Sequence, residues 1–514
     1  MKYQHKIFDP TRIVITQEHE KPWEHNPSFD EMMAEQLRHA PWIAMSILLH
    51  ALIIVILMSL PRKSAPVHSA VAVTVIPEPP TEEIPDEIPP EEIPPEDPKE
   101  VEPELTPIAD LEQDDLDQDP SEDLSDELDS PADSRFDSFQ DNPVIGTGGG
   151  AGPNGHGGHG RGSPRGAPAH IKPPIGRGLR WLADHQDEDG KWDADGFMKH
   201  DIAGTPCTGP GNPIHDIGVT GLAMLAFLGD GHNLRFGKYR SNVRRAARYL
   251  KSQMDDDGLI GEANGNHYMY DHAIAAIALI EATGLSQSRV LRPYAQKAVN
   301  YIQRARNPYK VWRYYPRDGE NDSSITGWMV MALKSAKDFD LQVDSKAFDY
   351  ARAWYDEVTD ASTGQVGYTQ RGEGSAREPL LVKRFPTDKT EAMTATGLLI
   401  RIFLGDTPKD SPILLQAADT MLKRPPIWNE NDGSIDLYYW YYGTYAMFQL
   451  GGRRWKQWKK HLEPALLQTQ GHKGNSKGSW DPLGAWGESG GRVYSTALAI
   501  LTLEAYFKYS PLLR

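Results

Sequence analysis

The 514-residue chain holds one cysteine, Cys207. A single thiol excludes an intrachain disulfide framework and any zinc site built from several cysteines. It leaves the compartment open, because large exported domains often lack disulfides. Positive charge is nearly missing from one long stretch. Residues 77–136 carry 24 Asp and Glu against only Lys99 and Arg135, a net of −22, whereas the whole chain is −18, so the remainder sums to about +4. The acidic balance therefore belongs to a linker and not to a binding surface, and no nucleic-acid partner is expected. At this length several regions are expected instead of one core.

Membrane-length apolar sequence is confined to residues 42–60, WIAMSILLHALIIVILMSL, nineteen residues without a formal charge. At about 1.5 Å per residue this approaches the roughly 30 Å hydrocarbon thickness of a bilayer. Residues 41–61 read as one transmembrane anchor helix behind a cytoplasmic arm, residues 1–40. No small-residue cleavage site follows immediately, so an uncleaved signal anchor is expected, with the rest of the chain in the periplasm or outside. Flanking charges give little orientation, because Arg38 on one side faces Arg62 and Lys63 on the other. Ser46 and His50 lie four residues apart on one helix face, where each costs insertion free energy unless it finds a partner. They are either a tolerated polar pair or a functional one.

The linker spans residues 62–170. Pro-Glu and Ile-Pro units (PEPPTEEIPDEIPPEEIPPEDPKEVEPELTP) fill 77–107, a composition that buries no core and favours extended polyproline II. A Gly-rich segment, 146–166, closes it; His156 and His159 there read as soluble loop, and no metal or other cofactor is expected anywhere in the chain. A short arm, a Ser-x-x-x-His helix (Ser46, His50), an apolar stretch at 70–76 and a Pro/Glu spacer resemble the start of a TonB-type energy transducer. That resemblance covers about the first hundred residues. It implies an inner-membrane, single-pass bacterial envelope protein whose helix docks on a proton-channel complex of the ExbB/ExbD or TolQ/TolR class, with His50 as the coupling residue and Ser46 beside it. No TonB-like C-terminal domain is recognisable.

From residue 171 onward a small, apolar segment recurs, headed by Thr220, Ala275, Thr326, Thr396, Thr444 and Thr496 at steps of 55, 51, 70, 48 and 52 residues. That is one copy per helical hairpin. Amphipathic segments at 176–186, 243–254, 295–305, 345–358, 414–424 and 458–470 alternate with them, carrying apolar residues near i, i+3, i+4 and i+7. Six outer and six inner helices predict a closed double ring spanning 171–514. Between them stands Gln186-Asp-Glu-Asp-Gly190-Lys-Trp192, with degraded copies at Gln253 with Gly258, Gly364-Gln-Val-Gly-Tyr368, and Gln470 with Gly478-Ser-Trp480. These loops resemble the QW repeat of the squalene/terpene cyclase and protein prenyltransferase superfamily, which implies an all-α (α/α)6 toroid.

The superfamily's chemistries are poorly matched. The cyclase Asp-x-Asp-Asp motif, the prenyltransferase Asp/Cys/His zinc site and the thioester Cys-Gly-Glu-Gln motif are all absent from the toroid. Asp322 alone remains as an acid, and it equally suits a helix N-cap. His267, Asp271 and His272 are the other catalytic candidates. Inner-helix starts also bring His215, Asp216, Tyr270, Glu391, Tyr438, Tyr442, Glu488, Arg492 and Tyr494 toward one mouth, as caps and core packing or as the lining of a ligand cavity. The expectation is an anchored toroid that binds a ligand or protein partner. The alternatives are a divergent membrane-tethered terpene cyclase or prenyltransferase-like enzyme, and a structural scaffold.

Overall fold

The computed structural model describes residues 169–202 and 204–508. The anchor at 41–61, the linker to residue 168, and Ser46 and His50 lie outside the described residues. Among the described residues no helix is long and apolar enough to cross a membrane.

Twelve α-helices run through the described residues, without strands: α1 (Lys172–Asp184), α2 (Asp216–Gly229), α3 (Arg240–Ser252), α4 (Tyr268–Ser286), α5 (Arg292–Ala305), α6 (Ser323–Asp338), α7 (Lys346–Val358), α8 (Ala392–Phe403), α9 (Ile413–Met421), α10 (Leu437–Leu450), α11 (Gly452–Leu467) and α12 (Gly487–Lys508). The even-numbered helices pack in sequence, α2 on α4, α4 on α6, then α8, α10 and α12, and α12 packs back on α2. The odd-numbered helices cover them from outside, α1 lying chiefly against α12 and α3 against α2. The predicted six-hairpin toroid is therefore closed by its first and last hairpins.

Burial follows the sequence pattern. In the inner helix α4, Met269, Ala273 and every residue from Ala275 to Ile280 are fully enclosed, which small side chains permit between two neighbours. The outer helix α3 buries Val243, Ala246, Ala247 and Leu250, one stripe at helical spacing. Several helices start earlier than their periodicity indicated. Proline in the first turn of α1 and of α5 fixes a helical φ where no intrahelical N–H bond is required.

The loops join neighbouring hairpins. Gln186 donates its amide to the carbonyls of Gly190 (2.8 Å) and Asn242 (3.0 Å), while Trp192 donates Nε1–H to Leu182 O (2.7 Å) and its backbone N–H to Thr220 Oγ1 (2.9 Å). The same arrangement returns at the seam, where Gln470 donates to Gly478 O and Pro174 O, both 2.8 Å, and Trp480 donates its backbone N–H to Thr496 Oγ1 (3.2 Å). Gly190 (φ 103°) and Gly478 (φ 100°) adopt left-handed backbone, and a Cβ at either would overlap the carbonyl of the adjacent outer helix, Arg245 or Arg177. A copy that the sequence reading missed centres on Trp312, whose Nε1–H reaches Ile302 O (2.8 Å), with Arg306 donating to Lys310 O (3.0 Å) in the glutamine's place.

Candidate functional site

Inner-helix starts converge on one end of the ring. Asp322 is the N-cap of α6, with extended backbone (φ −143°, ψ 157°) and Oδ1 accepting the Ile325 N–H at 2.8 Å. Its Oδ2 accepts the Tyr368 hydroxyl at 3.3 Å, and Arg313 Nε stands 3.9 Å away. The residue is fully enclosed. Burial disfavours its charged form more than the Ile325 N–H and Arg313 favour it, so its carboxyl is pushed up to about 7. Asp322 is thus the helix cap that the sequence offered as one reading, and it keeps a carboxyl that is protonated more readily than a free one.

Tyrosines surround it. The Tyr314 and Tyr368 hydroxyls are hydrogen-bonded to each other, and Tyr438 of α10 bonds Ser324 at 2.8 Å. Tyr270 of α4 has its phenol raised by burial first, then by the charge of Asp322. Tyr494 of α12 is raised by burial and by Asp436. Tyr270, Tyr314, Tyr494 and Trp486 are residues of intermediate exposure. Below Trp486, Arg377 and Asp436 form a buried ion pair at 2.8 Å, and Asp436 caps α10 by accepting the Tyr439 N–H at 3.0 Å. Arg313, Tyr314, Arg377 and Trp486 were not singled out from sequence, because they sit in loops outside the repeated segments.

A second group flanks the mouth. His215, at the end of a short turn entering α2, faces Asp271 of α4 with Nδ1 3.3 Å and 3.4 Å from its two carboxylate oxygens. His267, the N-cap of α4, brings Nδ1 to 3.6 Å from Asp271 Oδ2. The neighbouring Asp216 is otherwise engaged, accepting the Ala194 N–H (2.9 Å) and Lys191 Nζ (2.7 Å).

The other candidates hold the ring together. His272 takes the place of Thr220 in its own repeat, its Nδ1 accepting the Ile260 N–H at 3.0 Å; burial drives its pKa down to about 4, so it is a neutral anchor for its loop. Glu391 is ion-paired with Arg424 and Glu488 with Arg384. Arg492 donates to Thr208 O (2.7 Å) across the seam and to Asp481 (2.5 Å) in the loop before its own helix. Tyr442 is fully buried against Trp328. Cys207 belongs to a third group with His185 and Asp201, where Asp201 accepts the Cys207 N–H (2.6 Å) and His185 bonds both Trp181 O (2.7 Å) and Asp201 (3.2 Å). Burial pushes its thiol up to about 12, so it is no nucleophile at neutral pH.

No family model and no curated protein matches the chain. Among solved structures it is similar to an α-amylase from Clostridium perfringens (TM-score 0.45, 12% identity, 66% of this chain and 98% of that one) and to cellobiose 2-epimerase from Bacillus thermoamylovorans (TM-score 0.43, 11% identity, 65% and 97%). It is also similar to the type II terpene cyclase MstE from Scytonema (TM-score 0.41, 13% identity, 65% and 97%). At such identities and scores none of these likenesses assigns an activity, and the toroid stands on its own closed packing.

Proposed function

We propose that this chain is a membrane-anchored envelope protein whose exported toroid binds a neutral ligand at the end of the ring where Tyr270, Tyr314 and Tyr368 lie about Asp322, with Tyr494 near Tyr438 at the start of the neighbouring inner helix. The carrying observation is the gathering of Tyr270, Tyr314 and Tyr368 about an enclosed carboxyl that is raised to about 7. Aromatic faces accept apolar or sugar-like surfaces, and a neutral carboxyl with phenols offers both donors and acceptors to hydroxyl groups. The test titrates the full chain in detergent micelles with neutral oligosaccharides in one arm and isoprenoids in the other, following tryptophan fluorescence. Saturable binding weakened about tenfold or more by Tyr270→Ala and Tyr494→Ala, a loss of about 1.4 kcal/mol or more, supports the reading. Indifference of the protein to both arms, or of binding to both substitutions, sinks it.

The anchor motif adds a coupling role. With Ser46 and His50 on one face of a membrane helix, the chain docks on an ExbB/ExbD- or TolQ/TolR-type proton channel, which co-purifies with it and is lost on His50→Ala. An inserted anchor that recovers no such channel refutes that part. Asp322 also favours a second reading, an acid-catalysing toroid enzyme. A buried carboxylic acid with a pKa near 7 is suited to proton donation. Turnover of squalene or a prenyl diphosphate that disappears in Asp322→Asn would establish it, whereas an unchanged substrate argues for binding alone.

A further inference from the structure

We propose that His215, His267 and Asp271 form an open three-ligand site for a divalent transition-metal ion of the zinc class, at the rim of the mouth. The ligand atoms of the three side chains lie within 4.8 Å of one another. The separations decide between an ion-pair cluster and a metal site. Charge-assisted N–H···O bonds span about 2.7–2.9 Å, and the same toroid makes one between His200 and Asp187 at 2.7 Å. The His215 and His267 Nδ1 atoms instead stand 3.4 Å and 3.6 Å from one and the same oxygen, Asp271 Oδ2. Two ligands on a tetrahedral zinc, each about 2.0–2.1 Å from the metal, are about 3.4 Å apart by geometry. Both separations are longer than a charge-assisted hydrogen bond and match two edges of a coordination tetrahedron.

Two further observations point the same way. His267 Nδ1 is a buried atom without a hydrogen-bond partner, a costly arrangement that a metal would relieve. Gly218 on α2 lies so close to Asp271 Oδ1 that a Cβ there would overlap it, so a glycine leaves that carboxylate its place. The group at His185, Asp201 and Cys207 is tied up differently, since His185 Nδ1 bonds Trp181 O at 2.7 Å and Asp201 accepts the Cys207 N–H at 2.6 Å. Two imidazoles and one carboxylate suit Zn²⁺, Co²⁺ or Fe²⁺ over the all-oxygen cations Ca²⁺ and Mg²⁺. Three protein ligands leave a position for water or for an oxygen of a ligand held at the mouth.

The inference does not rest on the ligand reading, because metal binding is measured without any ligand. Full-length protein carrying His156→Ala and His159→Ala, to remove background histidines, is stripped with chelator and titrated with Zn²⁺ by calorimetry and with Co²⁺ by its visible d–d absorption. One saturable equivalent is expected, weakened by more than the roughly 10- to 100-fold typical of outer-shell changes when His215→Ala or Asp271→Asn is added. Asp271→Asn keeps the side-chain shape, so circular dichroism equal to the parent's shows that any loss is one of coordination. Absence of a saturable equivalent, or an equivalent indifferent to both substitutions, overturns the site.

Discussion

Asp322 supplies the sharpest test, because its burial has a thermodynamic sign that one substitution isolates. Its carboxyl is raised from 3.8 to about 7 in the folded ring. Between those values the folded state holds a proton that the unfolded chain has released, so stability falls as pH rises through the window. Linkage between pH 5 and pH 8 gives a loss of about 2.5 kcal/mol, nearly all of it below pH 7.5. His272 acts oppositely: with its pKa lowered to about 4, it contributes stability that grows as pH rises from 4 toward 6.5. The wild-type curve alone therefore mixes the two. The informative quantity is the difference between wild type and Asp322→Asn, in which the asparagine keeps the N-cap acceptor for Ile325 and removes the titration. At about 2 cal/mol/K per residue over roughly 340 ring residues, that change moves the melting temperature on the order of 3–4 °C. The variant should gain that much on wild type in differential scanning fluorimetry between pH 5 and pH 8. Parallel melting curves across the range would mean that Asp322 is ionised throughout, and acid chemistry at the mouth would lose its basis.

Two packing predictions follow from the loops. Gly190→Ala places a Cβ against the Arg245 carbonyl in a left-handed conformation and should destabilise the ring by at least about 2 kcal/mol in urea titrations; a change under about 0.5 kcal/mol would show that the loop yields freely. Thr220→Val removes the acceptor for the Trp192 N–H and should cost about 1–3 kcal/mol in the same assay, with Thr220→Ser close to wild type. A loss from serine with valine near wild type would assign the threonine's role to its methyl packing instead of its hydroxyl.

The ring was legible because it is written as a period: one hydrophobic segment per hairpin is enforced by burial, and burial leaves little choice of residue. The threonine that marks the period has a structural task, accepting a loop N–H at Thr220 and Thr496, with His272 doing the same in one repeat and Thr394, two residues before Thr396, in another. A hydroxyl and an imidazole nitrogen serve equally as acceptors, which is why His272 looked like a site residue in the sequence. The Trp312 loop escaped notice because Arg306 satisfies the carbonyl that glutamine satisfies elsewhere, so the hydrogen bond persists while the letter changes. Site residues were legible only as positions before inner helices. Glu391 and Asp322 occupy equivalent starts, yet Arg424 reaches one and only tyrosines and a distant guanidinium the other, a distinction set by loops that no period describes. The repeat nevertheless carried one unused signal. His215 and Asp271 are 56 residues apart, nearly the 55-residue step from Thr220 to Ala275, and a residue one step along such a ring sits beside its counterpart on the next inner helix. Laying each inner-helix start over the next brings His215 to the Tyr270–Asp271 position, with His267 one turn before it.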